Sequence, residues 1–395
     1  MSLNEKASAE RIHIAFFGLR NAGKSSVVNA VTNQELSVVS EVKGTTTDPV
    51  KKAMELLPIG AVVIIDTAGI DDEGELGALR VERTKKILNE TDVAVLVVDA
   101  VKGIAEEDEK LINEFKKRNV PYVIAFNKCD LIKNENALKE NELYVSAKSG
   151  KNINELKELI GKISVTAENE KTLLGDVIKK GDTVVLVVPI DASAPKGRLI
   201  LPQQQTIREL LDIGAVAVVT GVSELGKTLE NLKKPPELVI TDSQAFKSVS
   251  EIVPENVPLT SFSILFARYK GELWRAAEGA NTLDSLQDGD YVLISEGCTH
   301  HRQCGDIGTD KLPKWIEAYT KKSLNFEFTS GSDFPKDLQK YKLVVHCGAC
   351  MLTEREMKSR IALSVAQSVP VSNYGIVIAK MNGILQRATK PLTNH

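Results

Sequence analysis

Lys24 and Ser25 close the stretch Gly18-Leu-Arg-Asn-Ala-Gly-Lys-Ser25, which fits the pattern G-x-x-x-x-G-K-S. Residues of these types at this spacing bind phosphate. The N–H groups of Asn21, Ala22, Gly23, Lys24, Ser25 and Ser26 can wrap phosphate oxygens at the start of a helix. Lys24 brings a point charge to the β and γ phosphates, and the Ser25 hydroxyl suits Mg²⁺. Asp66-Thr-Ala-Gly69 follows an apolar run. Its aspartate can hold Mg²⁺ through water, and the Gly69 N–H can meet the γ-phosphate. Asn127-Lys128-Cys-Asp130 follows another apolar run. A carboxylate such as Asp130 accepts both the N1–H and the exocyclic amine of guanine, a pattern adenine cannot satisfy. Ser146-Ala147-Lys148 would back the base. In this order the motifs describe a GTP or GDP site.

A second constellation lies far downstream, where Cys298-Thr-His300 is followed by His346-Cys347-Gly-Ala-Cys350. Both pairs follow apolar runs that read as strands, and strand ends in parallel sheets gather ligand sites. Three chemistries fit. Structural zinc would use Cys and His in a closed tetrahedron. A redox dithiol would use Cys347 and Cys350 alone. An Fe–S cluster would use the three cysteines and leave one iron with a weak or exchangeable ligand. Spacing does not separate zinc from iron–sulfur, and plain thiols packed in an apolar core are the bland alternative.

These residues must be positioned by elements, and the 395 residues allow two or three domains. Aromatics make up only 5%, so the core must be mostly aliphatic. Net charge is −3, which argues against nucleic-acid binding by bulk electrostatics. No apolar run is long enough to span a bilayer; five cysteines in a cytoplasmic chain do not suggest a disulfide framework, and the clustered ones suit metal or redox work. In residues 1–165, near-continuous apolar runs at Ile12–Phe17, Ala61–Asp66, Val93–Asp99 and Tyr122–Asn127 alternate with helical patterns. That predicts a doubly wound parallel sheet carrying the phosphate loop. Residues 171–263 read as a small α/β segment with three short strands, whose unpaired edges favour pairing with a second copy. Residues 264–395 read as a third α/β segment, with helices over Lys311–Lys322, Phe334–Lys340, Thr353–Ser368 and Gly375–Ala388.

The GTPase motifs resemble those of the translation-factor-related GTPases, in the branch that includes TrmE and Era. Gly44-Thr-Thr-Thr-Asp48 resembles its switch I. The resemblance implies that Thr46 binds Mg²⁺ and that Asn21 helps bind an activating K⁺; the plainer reading of Asn21 is a turn former. Ile70 stands where many GTPases place a water-orienting glutamine, a role isoleucine cannot fill. Asp71, Asp72 and Glu73 lie just beyond, and Asp72 is the candidate, against the plainer reading of a solvated acidic loop. Lys24, Thr46 and Asp72 are thus the expected catalytic set.

The spacing Cys298-x-His300, 45 residues, His346-Cys347-x-x-Cys350 resembles the signature of the HydF family, the GTPase maturases of FeFe-hydrogenase. That resemblance implies a GTPase domain, a dimerisation domain and a cluster domain in this order. It implies a 4Fe–4S cluster on Cys298, Cys347 and Cys350, with Cys304 outside the motif and His300, His346, Glu296 or solvent at the fourth iron. It also implies a homodimeric scaffold that delivers a diiron precursor to apo FeFe-hydrogenase, working with the radical-SAM maturases and not with membrane or nucleic acid. The alternative is a TrmE- or Era-like GTPase acting on RNA or ribosomes, with a structural zinc.

Overall fold

The computed structural model describes residues 11–34, 50–67, 84–133, 137–167, 172–190, 199–271, 273–297, 307–331, 333–349 and 351–392. The chain divides into two compact units, Met1–Glu170 and Lys171–His395.

The first unit is a six-stranded sheet in the order β2-β3-β1-β4-β5-β6. The strands are β1 (Ile12–Phe17), β2 (Val50–Leu56), β3 (Gly60–Asp66), β4 (Val93–Asp99), β5 (Tyr122–Asn127) and β6 (Glu142–Tyr144). All pair in parallel except β2, which runs antiparallel to β3. Strand alternation sends Ile14 and Phe16 into one core, with Val27, Val28 and Val31 of the helix Lys24–Thr32 and Leu156 and Ile160 of the helix Ile153–Ala167. Ala15 and Phe17 face the other core, where Phe115 of the helix Glu106–Lys117 lies 5.3 Å from the Phe17 ring. Each fully buried Val, Leu or Ile contributes about 1.5–3 kcal/mol. Val93–Val98 of β4 is buried throughout, so the sheet is anchored at its centre. The edge strand β2 was not anticipated. Its sequence, VKKAMEL, is mostly exposed and mixes charge with apolar residues, so the pairing with β3, and not its own pattern, makes it a strand.

The second unit holds two four-stranded sheets, in the orders β10-β9-β7-β8 and β12-β11-β13-β14. The first uses β7 (Thr183–Val187), β8 (Val216–Thr220), β9 (Leu238–Thr241) and β10 (Leu259–Ser261). The second uses β11 (Tyr291–Glu296), β12 (Asn325–Ser330), β13 (Tyr341–His346) and β14 (Val371–Asn373). All pairings are parallel. One hydrophobic core runs through both sheets, from Leu173 to Leu392. The helix Phe262–Lys270 follows β10 directly and buries Phe262, Ile264, Leu265 and Phe266 in that core.

Several expectations change here. The small sheet has a fourth strand, β10, just after Pro258, where the sequence suggested only a boundary. Residues 333–349 contain no helix before β13, so the helix expected over Phe334–Lys340 is absent; Pro335 lacks an N–H and disfavours helix at the residue before it. The helix expected over Gly375–Ala388 is two, Tyr374–Met381 and Leu385–Thr389, parted at Gly383 with φ 70°.

Candidate functional site

The phosphate loop joins β1 to the helix Lys24–Thr32, as its motif requires. Gly18 passes so close to β4 that a Cβ there would lie 2.5 Å from the Val97 carbonyl oxygen. Gly23 has φ 84°, and a Cβ there would lie 2.3 Å from Asn127 Nδ2. Both positions therefore need glycine. Lys24 is buried and ion-paired with Asp66, and Ser25 Oγ lies 3.3 Å from Asp66 Oδ2. The two groups expected at Mg²⁺ and the phosphate-binding lysine thus meet at one point.

Asn127 straps the base-recognition loops to the phosphate loop. Its Nδ2 donates to Ala22 O at 3.0 Å, and its Oδ1 accepts from Ala147 N at 3.1 Å. Lys128, held at φ 66°, donates to Asn21 O and to Asp99 Oδ2, both at 2.6 Å. Burial raises the Asp99 carboxyl, but the Lys128 ammonium and the Val101 N–H outweigh it and hold the group low. Ser146 Oγ donates to Asp130 Oδ1 at 2.6 Å; that bond and the Lys148 charge keep Asp130 ionised, as an acceptor of guanine N–H groups must be. Asp99 as the partner of Lys128 was not anticipated. Asn21 has φ 63° and an exposed side chain, and Ser26 lies in the first helical turn. Thr46, Gly69 and Asp72 lie outside the described residues, as do Ile70, Asp71 and Glu73.

In the second unit, β11 and β13 are parallel neighbours, with Ser295 beside His346. Their carboxyl ends, which lead to Gly297 and to Cys347, lie side by side. Cys347 N donates to Ser295 O at 3.0 Å. Cys347 Sγ accepts from Gly297 N at 3.0 Å and Ala349 N at 3.3 Å, with Ala349 held at φ 53°. Burial outweighs the two N–H groups and Arg360 and, with the Glu296 carboxylate, leaves the free thiol above its ordinary value. A sulfur that receives two main-chain donors is suited to carry charge as a metal thiolate. Cys298, His300, Cys304 and Cys350 lie outside the described residues; among the described ones no three His, Cys, Asp or Glu side chains gather as ligands.

His346 is directed differently from Cys347. Its buried ring stacks on Phe334 at 5.4 Å, on the side of Val344, while Cys347 packs against the core that holds Leu343 and Val345. Among the described residues neither ring nitrogen has a hydrogen-bond partner; the Ser295 main chain pulls the pKa upward but lies outside bonding geometry. Burial, with Arg360 nearby, takes the imidazole down to about 3. The Arg360 guanidinium lies 5.0 Å from the Phe334 centroid and donates to Ser295 Oγ, Gly331 O and Glu356 Oε1. Glu296, at the end of β11, accepts from the Tyr374 hydroxyl at 3.2 Å.

Residues 173–271 match the family model of the hydrogen maturase F dimerization domain, and residues 275–391 that of its tetramerization domain. Together they span more than half of the chain. The chain belongs to the hydrogen maturase F family. Residues 13–128 match the 50S ribosome-binding GTPase model, so this member of the family carries a GTPase domain. GTPase Der of a Nitratiruptor species is 34% identical over 183 residues, 41% of this chain and 39% of that protein. GTPase Der of Wolinella succinogenes is 36% identical over 175 residues, 40% of this chain and 37% of that protein. The chain spans about two fifths of the length of these curated relatives. Among solved structures, a probable GTP-binding protein EngB is similar at 24% identity over 39% of this chain and 99% of its own, with a TM-score of 0.33. Among the described residues no helix is long and apolar enough to cross a membrane.

Proposed function

We propose that this hydrogen maturase F protein hydrolyses GTP as a switch while carrying a 4Fe–4S cluster on Cys298, Cys347 and Cys350. Lys24 charges the phosphate site, Asp130 selects guanine, and Asn127 and Lys128 hold the two loops in register. Mg²⁺, when bound by Ser25 and Thr46, neutralises charge on the β and γ oxygens. Asn21 would help hold a K⁺ that accelerates turnover, and Asp72 would orient the attacking water. The cluster, when bound, offers one iron position open to exchange. The cargo is an organometallic diiron unit with CO, cyanide and a dithiolate bridge. It is received from the radical-SAM maturases and delivered to apo FeFe-hydrogenase in the cytoplasm. Two copies act together, through the exposed edge strand β8, where Val216 and Val219 are 51% and 47% exposed.

The observation that carries the reading is Cys347: its sulfur sits at the end of a parallel strand and takes two main-chain N–H donors. Anaerobic reconstitution with iron and sulfide tests it. A brown protein with about four irons per chain is expected; a colourless protein that retains zinc alone would sink the cluster assignment.

A further inference from the structure

Residues 171–395 carry one pattern twice. Gly181-Asp-Thr-Val-Val-Leu186 returns as Gly289-Asp-Tyr-Val-Leu-Ile294. Val257-Pro-Leu-Thr-Ser-Phe262 returns as Val369-Pro-Val-Ser-Asn-Tyr374, and Gly271-Glu-Leu-Trp-Arg-Ala276 as Gly383-Ile-Leu-Gln-Arg-Ala388. The structure repeats with the sequence. Both sheets of this unit are wholly parallel, and in both the strands lie in the order second, first, third, fourth. The register is the same. Thr183 stands beside Val216 as Tyr291 beside Asn325, and Val184 beside Leu238 as Val292 beside Leu343. Val239 stands beside Leu259 as Val344 beside Val371. Gly181 and Gly289, with φ 87° and 86°, lead into the first strand of each sheet. Lys179 N donates to Asp182 Oδ2, and Gln287 N to Asp290 Oδ2, both at 2.8 Å. Ser261 and Asn373 each end a fourth strand and cap the helix after it.

The two repeats meet as the halves of a dimer do. Ser243 and Gly348 each lie two residues beyond a third strand, and Ser263 and Gly375 are each second in the helix after a fourth. A Cβ on Gly348 would meet Ser263 Oγ at 3.5 Å, and a Cβ on Gly375 would meet Ser243 Oγ at 2.8 Å. Each contact is thus returned with the positions exchanged, as across a two-fold axis. The last helices are exchanged as well. The helix Leu273–Gly279 of the first repeat packs on β14 of the second, where Ser372 Oγ donates to Ala276 O at 2.8 Å. The helix Leu385–Thr389 of the second repeat packs on β10 of the first. From it Arg387 donates to Val253 O at 2.9 Å and Pro254 O at 2.7 Å, in the loop before β10. β10 and β14 are three-residue edge strands, which need such cover.

We infer that residues 171–395 are a tandem duplication folded as an internal dimer, in which each repeat supplies the helix that closes the other's sheet. The partner that each repeat's surface fits is the other copy of the same pattern, and one core runs through both. The dimerization and tetramerization matches meet between residues 271 and 275, inside the first repeat. β14 pairs with β13, the strand that leads to Cys347. That strand is therefore braced by the repeat that carries the exposed β8 edge.

Hydrogen exchange on the full chain, read peptide by peptide, tests this, because an amide reports the opening of the segment that holds it. Gly279→Ala would bring a Cβ to 2.1 Å from the Val371 carbonyl oxygen. It should speed exchange in residues 369–373 of the other repeat by about tenfold or more, ahead of residues 257–261 of its own. Arg387→Ala withdraws charged donors from the loop before β10. It should speed exchange in residues 253–261 of the first repeat by about tenfold or more, ahead of residues 369–373 of its own. An increase that is larger in the substituted repeat than in its partner, in both variants, overturns the exchange of helices. In wild-type protein under rising urea, both repeats should lose protection at one concentration. Separate transitions for the two repeats overturn the internal dimer, whether or not either variant folds.

Discussion

Asp130 is exposed, held ionised by Ser146, and presents two acceptor oxygens. Asp130→Asn exchanges one acceptor for a donor, so preference should move from guanine to xanthine nucleotides. Competitive turnover of GTP against XTP measures this, and unchanged GTP preference would remove Asp130 from base recognition. At the other site, Cys347→Ala should abolish cluster retention, because it removes the sulfur that accepts from the Gly297 and Ala349 N–H groups. His346→Phe should keep the cluster. Its ring is already stacked on Phe334 and its nitrogens have no partner among the described residues, so an apolar ring removes two unsatisfied groups, each costing about 1–3 kcal/mol. Iron and sulfide analysis of both variants decides the matter; cluster loss in His346→Phe would make the imidazole a ligand.

Elements act here through their ends and edges. The helix Glu106–Lys117 is capped by Asp108, whose carboxylate accepts from Ala105 N while its other oxygen, Oδ1, is buried with no partner among the described residues. Burial raises this carboxyl above its ordinary value, with Glu107 adding to the rise against the Ala105 hydrogen bond. A raised carboxyl binds its proton more tightly folded than unfolded. Its contribution is therefore most favourable at low pH and is lost as pH rises from the unfolded pKa through the folded one. Asp108→Asn keeps the capping acceptor and cannot ionise, so its stability relative to wild type should grow between about pH 4 and neutrality. Urea melts at several pH values would show it, and a constant difference would refute it. In the other unit, the outward-facing edge of β8 exposes Val216 and Val219. A charge placed there opposes pairing with a second copy. Val219→Asp should weaken self-association by about tenfold or more, roughly 1.4 kcal/mol, as sedimentation would record.

At the scale of the molecule, the nucleotide site and the cysteine loop belong to different compact units. The contacts described for Lys24 and for Cys347 are each made within their own unit. Lys24→Ala should abolish GTP turnover and leave iron loading at the wild-type level. If iron loading fell with turnover, nucleotide hydrolysis would be part of cluster acquisition and not a later switch. Turnover should also run faster in K⁺ than in Na⁺ at equal ionic strength, and equal rates would remove Asn21 from cation binding.

The nucleotide motifs and the fold class were legible in the sequence because both are local. Each motif occupies one strand-to-loop junction, and β1, β3, β4 and β5 are apolar runs long enough to announce a sheet covered on both faces. The cysteine spacing reads as a metal signature from sequence alone, and of its cysteines only Cys347 lies among the described residues. What the sequence left open depends on neighbours distant in the chain. β2 exists because β3 pairs with it, and β10 because β9 does. The segment before β13 stays irregular because Pro335 interrupts it while Leu338 is drawn into a core with Val344. His346 and Cys347, adjacent in sequence, part company because one ring stacks on Phe334 and the other side chain meets Gly297. Lys270 ends an apolar stretch and reads as a solvated helix end; only packing across 79 positions turns its ammonium onto the cysteine loop. Local pattern fixes which groups can do chemistry, whereas burial and long-range hydrogen bonds decide where each side chain points.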